Sequence, residues 1–292
     1  MRKIAIVNQK GGCGKTTTSV NLSVAFAQKD KRTLILDLDP QAHSTIGVGR
    51  KPDELSATIY NVLKSQVGLS DIIVDTEVEH LDLAPSNVLL SGAEVDLVSV
   101  VGREFVLDKR LATIEDKYDI CVIDCPPSLS LLTLNALVAS TEVIVPVQVH
   151  YYAMEGLKQL FETARTIREH LRPCDVKFSG LLLTFVDKTT LLSKQAQKQM
   201  REYFGSLVFD TVIHKSVRLA EAPSTGQSIF TYAPESRSAA EYRALAEEVI
   251  GRESVEQKVN DGNSTEQKRD DEASTEQKIE DQTLVEEKAI NV

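Results

Sequence analysis

With 292 residues, 42% hydrophobic and 26% charged, and no tryptophan, the chain is long enough for one large α/β domain or two small ones. No apolar run reaches the roughly 18 residues that cross a bilayer, and strand-like sequence begins at Lys3-Ile4, which leaves no room for a signal peptide. Four cysteines (Cys13, Cys121, Cys125, Cys174) form no CxxC pair and fit a reduced cytoplasm, so the secreted, membrane-spanning and disulfide-stapled classes are excluded.

Residues 4–7 form a short apolar strand, followed by a glycine-rich turn and a helix over 15–28. Further strands are expected at 33–37, 119–124, 142–147 and 178–186, separated by helical patterns such as 154–170, with a final helix over 236–250. Continuous apolar strands imply a sheet buried on both faces. Their alternation with helices gives an α/β fold: a doubly wound, mostly parallel sheet with helices on both faces, as one domain over residues 1–252. Residues 253–292 read as a separate acidic tail. The segments Ser254-Val-Glu-Gln-Lys258, Ser264-Thr-Glu-Gln-Lys268, Ser274-Thr-Glu-Gln-Lys278 and Leu284-Val-Glu-Glu-Lys288 recur every ten residues. That period does not align on one helix face, and with few large apolar groups the tail is expected to be disordered.

The formal charge of −10 is unevenly spread. Residues 251–292 carry 12 Asp/Glu against 6 Lys/Arg, whereas residues 188–218 carry six Lys/Arg against Glu202 and Asp210. A mildly acidic body with a local basic stretch still permits nucleic-acid binding.

The strongest motif is Gln9-Lys-Gly-Gly-Cys-Gly-Lys-Thr-Thr17, between the first strand and the first helix. Gly11, Gly12 and Gly14, with Cys13 among them, let backbone N–H groups turn toward phosphate oxygens at a helix N-terminus, as ATP requires. Lys15 is expected at the β/γ-phosphates, and the Thr16 hydroxyl on Mg²⁺, with Thr17 completing the loop. Phosphoryl transfer also needs a metal-holding carboxylate and a group that positions the attacking water. Two strand ends supply candidates: Asp37 and Asp39 in Leu34-Ile-Leu-Asp-Leu-Asp-Pro-Gln41, and Asp124 in Ile120-Cys-Val-Ile-Asp-Cys-Pro-Pro127.

The general loop pattern has Gly where this chain has Gln9, and Lys10 stands directly before the glycine pair. Lys-Gly-Gly-x-Gly-Lys-Thr-Thr resembles the deviant Walker A loop of the ParA, MinD and nitrogenase-iron-protein group of P-loop ATPases. The resemblance implies that Lys10 reaches across a nucleotide-sandwich homodimer to the partner's ATP. It also implies that Asp39, in a switch I-like segment, is required for hydrolysis, and that Asp124 serves Mg²⁺. Within the group, Tyr151-Tyr-Ala-Met-Glu-Gly-Leu157, Val217-Arg-Leu-Ala-Glu-Ala-Pro-Ser224 and Tyr232-Ala-Pro-Glu-Ser-Arg-Ser-Ala-Ala-Glu-Tyr242 look like Soj-type chromosomal ParA proteins. This implies Pro234 beside adenine, and Lys188, Lys215 and Arg218 on nonspecific double-stranded DNA. Relatives tend to have Pro-Arg-Asn where this chain has His214-Lys215-Ser216.

Such a protein is expected to be a cytoplasmic, nucleoid-associated DNA-partitioning switch, released from DNA when a ParB-like partner stimulates hydrolysis. The same ATPase core could position another cargo, such as a chemoreceptor cluster or polysaccharide machinery. A MinD-like membrane ATPase would need a basic amphipathic C-terminal helix, whereas this C-terminus is acidic, so no membrane partner is expected. A helix N-terminus and nearby lysines lower a thiol pKa, which makes Cys13 a candidate for oxidation that blocks ATP binding.

Overall fold

Successive side chains of the central strands enter opposite cores, because strand side chains alternate with a period of two. A computed structural model describes residues 1–149, 153–171 and 176–262. Its strands are β1 (Arg2–Ile6), β2 (Thr33–Asp37), β3 (Val74–Asp75), β4 (Leu81–Ala84), β5 (Ile120–Asp124), β6 (Glu142–Gln148) and β7 (Lys177–Thr184). They form one seven-stranded sheet in the order β3-β4-β2-β5-β1-β6-β7. Every pairing is parallel except β3 on β4, where a two-residue antiparallel strand blunts the edge.

The helices are α1 (Lys15–Ala27), α2 (His43–Gly47), α3 (Ile59–Leu63), α4 (Ala93–Leu97), α5 (Val106–Ala112), α6 (Leu131–Ala139), α7 (Ala153–His170), α8 (Leu191–Phe204), α9 (Val217–Glu221), α10 (Ile229–Tyr232) and α11 (Arg237–Gly262). Ala5, Leu34, Leu36, Cys121, Ile123, Val143, Val145, Leu181 and Leu183 pack in one core with α3, α5, α6, α7 and α8. Ile4, Ile6, Ile35, Val122, Ile144 and Leu182 pack in the other, with α1, α10 and α11. The strands are therefore apolar on both faces, as the unbroken runs in the sequence require.

By the same alternation Asp37 and Asp124 fall on the α1 side, and the β2–β5 register sets them opposite each other. Both lie at the carboxyl ends of adjacent parallel strands, where open α/β sheets bind ligands. Crowding fixes one glycine on β7: a Cβ at Gly180 would stand 2.5 Å from Phe209 Cε2. The Phe209 ring in turn lies 4.1 Å from the Arg252 guanidinium.

Three differences from the expected elements have local causes. β7 ends at Thr184 because Phe185 takes a positive φ of 53°, which breaks strand geometry. The last helix passes through Gly251 to Gly262, so the boundary expected at residue 252 falls inside α11; an Arg252–Glu248 pair one turn apart spans the glycine. β4 gave no apolar run, because its buried Leu81 and Leu83 alternate with Asp82. Among the described residues no helix is long and apolar enough to cross a membrane. Residues 263–292, which hold most of the decad repeats, lie outside the described residues, as do Cys174 and the first residues of the Tyr151–Leu157 motif.

Candidate functional site

The chain leaves β1 and turns through residues 8–14 into α1. Asn8 braces the exit: its Nδ2 donates to the Pro146 carbonyl on β6 (2.7 Å), and its Oδ1 accepts the Lys10 N–H (2.9 Å). Gly12 (φ 70°) and Gly14 (φ 92°) take left-handed conformations, which a side chain would strain. Gly14 is the N-cap of α1 and has no side chain to bond the first-turn N–H groups, and that turn holds no acidic residue. Those N–H groups and the helix dipole together form an anion site.

Lys10, Gly11 and Gly12 are exposed, whereas Lys15 is buried, with its Nζ 3.0 Å from the Lys10 carbonyl oxygen. The loop thus places a cation under its own backbone, where a phosphate chain would lie. Cys13 is fully buried: its thiol donates to the Lys10 carbonyl (3.2 Å), and its own carbonyl accepts from Thr184 Oγ1 (2.8 Å). Burial pushes the Cys13 thiol up, against the opposing pull of Lys15. The pKa shift is thus the reverse of the lowering expected from the lysines, since desolvation outweighs the positive surroundings.

Beneath the loop, Asp124 is wholly buried and ringed by hydroxyls. Ser19 of α1 donates to one of its oxygens (2.9 Å) and Ser44 of α2 to the other (2.7 Å). Burial raises its carboxyl pKa, while the hydroxyls of Ser44, Thr16 and Ser19 work against the rise. Asp37 is equally buried. It accepts from the Thr45 N–H and hydroxyl (both 2.8 Å) and from the Asp39 N–H (3.1 Å). Burial first, and then Asp124, push it to about 8. Asp39 is buried too, with its Oδ1 accepting from the Gln41 N–H (3.0 Å) and its carbonyl from Ser86 Oγ (2.8 Å). The turn that carries Asp39 is therefore tied to the end of β5 through Ser44. Beyond α2, Gly49 meets Gly226 backbone to backbone: a Cβ on Gly226 would lie 3.3 Å from Gly49 Cα.

The donor set fits a hard divalent cation. Asp124, Asp39 and the Thr16 hydroxyl offer oxygen donors, and among the described residues no three His, Cys, Asp or Glu side chains form a metal cage. Mg²⁺ favours that pattern, taking few carboxylates and completing its shell with water and phosphate. The Gln9 Nε2 is a buried donor with no hydrogen-bond partner among the described residues, another group suited to an anion.

The remaining predicted residues lie on three segments: Lys188 before α8, Lys215 and Arg218 at the start of α9, and Pro234 between α10 and α11. Lys188, Lys215 and Arg218 are all exposed, and a β-bridge between Val186 and His214 brings their segments together. Pro234 is exposed just after α10, whose first N–H donates to Asn21 of α1 (2.8 Å). Sequence reasoning missed Asn8, Ser19, Asn21, Ser44, Thr45 and Ser86. Ser19 carried a signal, because it lies one helical turn from Lys15 and so shares its face of α1. Ser86 carried none: it reaches the site only through the pairing of β4 with β2.

A family model described as AAA domain matches residues 1–176. The sporulation initiation inhibitor protein Soj of Bacillus subtilis is 47% identical over 246 residues, 84% of this chain and 97% of that protein. The chromosome partitioning protein ParA of Myxococcus xanthus is 42% identical over 253 residues, 87% of this chain and 89% of that one. Among solved structures, cobyrinic acid a,c-diamide synthase from Mycobacterium smegmatis, bound to an ATP analog and magnesium, is similar with a TM-score of 0.75 at 34% identity. That match covers 85% of this chain and 93% of the other.

Proposed function

The chain belongs to the Soj/ParA family of P-loop ATPases, and from that premise we propose that it is a DNA-partitioning switch. ATP assembles a sandwich homodimer, the dimer binds double-stranded DNA without sequence preference, and a ParB-like partner stimulates hydrolysis and release. Such a protein is cytoplasmic and resides on the nucleoid. The observation that carries the reading is the Asp124–Ser44 hydrogen bond, which joins the metal-side carboxylate to the segment bearing Asp39. A group at the phosphate end of the site is thereby felt by the loop that follows β2, as a γ-phosphate switch needs.

Each residue has a role. Lys15 exchanges the Lys10 carbonyl for the β/γ-phosphate oxygens, and the N–H groups of residues 11–17 cradle the phosphate chain. Thr16 and Asp124, with Asp39 beside them, would hold Mg²⁺, which would supply neutralisation of developing phosphate charge. Asp39 orients the attacking water while Asp37, through Thr45 and the Asp39 N–H, fixes the turn that presents it. Lys10, exposed at the start of the loop, is the residue that would reach a second protomer's nucleotide. Lys188, Lys215 and Arg218 contact DNA phosphates, and Pro234 borders the base.

The test is binding to nonspecific duplex against salt, with ATP, ADP or no nucleotide. Binding with ATP alone is expected, with log affinity falling by about 0.9 for each unit of log salt per phosphate contacted. Lys15→Gln and Arg218→Ala abolish or weaken it, and Asp39→Ala retains or strengthens it. Absence of DNA binding in every state, with ATP still bound, overturns the partitioning reading and favours a protein cargo or a membrane.

A further inference from the structure

The basic loops carry a clamp of their own. Glu241 on α11 accepts the His214 backbone N–H at Oε2 (3.0 Å) and pairs with the imidazole Nδ1 at Oε1 (2.7 Å). The same Oε1 receives Arg237 Nε at 2.7 Å, and the Arg237 guanidinium also abuts the imidazole ring. The side chains of His214 and Glu241 are each only 12% exposed. The carboxylate is thus neutralised by Arg237 and spent on one segment of backbone. Proline has no N–H to donate, so this clamp depends on a non-proline residue at position 214.

The clamp stands where the basic segments cross. On one side the Lys215 N–H donates to the Val186 carbonyl (3.1 Å) and the Val186 N–H to the Ile213 carbonyl (3.1 Å), which sets the position of Lys188 two residues on. On the other, Ser216 is the N-cap of α9, with its hydroxyl accepting the Leu219 N–H (3.5 Å), and α9 bears Arg218. The three exposed cations are within four residues of the clamp or of its β-bridge. On the anchoring side, Tyr242 beside Glu241 is fully buried, its hydroxyl 3.4 Å from Thr18 of α1.

We propose that Glu241 is the positioning residue of the polyanion-binding face: by holding His214 it fixes the spacing of Lys188, Lys215 and Arg218 for a phosphate backbone. The inference rests on the DNA reading given above. A built-in control exists on the same helix. Glu248, two turns further on, accepts the N–H groups of Asp210 (2.8 Å) and Thr211 (2.9 Å) in the same way, but those residues lie before the β-bridge that joins the two basic segments. Both carboxylates pin the chain that follows α8; only Glu241 pins the part that bears the charges.

The experiment is duplex binding by the full chain with ATP across a salt series, for wild type, E241A, E241Q and E248A. ATP affinity measured alongside is the control for folding of the phosphate loop. E241A is expected to bind DNA about tenfold more weakly, with a salt slope shallower by about one phosphate contact. E241Q, whose amide oxygen still accepts the His214 N–H, recovers most of the affinity, and E248A keeps the wild-type slope. Equal slopes and affinities for E241A and wild type overturn the inference alone. Equal losses in E241A and E248A overturn it too, by showing a general role in holding the chain. A wild-type protein that binds no duplex with ATP overturns the DNA reading itself, recognisable before any variant is compared.

Discussion

At Cys13 two electrostatic effects oppose each other. Lys15 and Lys10 favour the thiolate, but complete burial favours the thiol, and burial is the larger. Iodoacetamide at neutral pH is therefore expected to leave Cys13 unmodified in the native chain and to label it after denaturation, as read by peptide mapping; rapid native labelling contradicts this. His214 shows the same competition with pH as the variable. Burial depresses its pKa below the usual 6.5, helped by Arg237 and Lys188, while Glu241 works the other way. A base whose folded-state pKa is depressed is protonated more readily when unfolded. Stability is then lost as pH falls through the range below about 6.5, and His214→Gln flattens that loss. Urea midpoints at pH 7.5 and 5.5 for the two proteins test it.

Among elements, α2 and its neighbours depend on one hydroxyl. Thr45 Oγ1 donates to Asp37 and accepts the Ser86 N–H (3.0 Å), both buried. Thr45→Val keeps the shape and removes both bonds, so a loss of about 1–3 kcal/mol in unfolding free energy is expected from urea titration. Gly180→Ala, forced against Phe209, is expected to cost about 1–3 kcal/mol by overpacking, with the same readout. The elements at the catalytic end were legible because their chemistry is local: Gly12 and Gly14 had to bend, Lys15 had to follow them, and Asp124 had to end an apolar strand. Thr45, Ser86 and Glu241 were not. Each is an ordinary polar residue until the sheet order brings β4 beside β2 and lays α11 across α1.

For the whole molecule, nucleotide and fold are one equilibrium. A ligand that binds only the folded chain stabilises it by about 2.7 kcal/mol at a hundred times its dissociation constant. Mg²⁺ with ATP is expected to raise the thermal midpoint of the wild type, and Lys15→Gln to abolish the increase; an equal rise in both would remove Lys15 from the site. The sheet order follows from apolar strands that must be covered twice. Nothing in the sequence, however, announced that the turn after α2 and the turn after α9 would meet at two glycines. Gly49 and Gly226 touch through backbone alone, with no side chain between them to yield. A side chain at either position would press on the other turn's backbone, so the absence of two Cβ atoms sets how closely the segment behind Asp39 can lie against the segment behind Arg218.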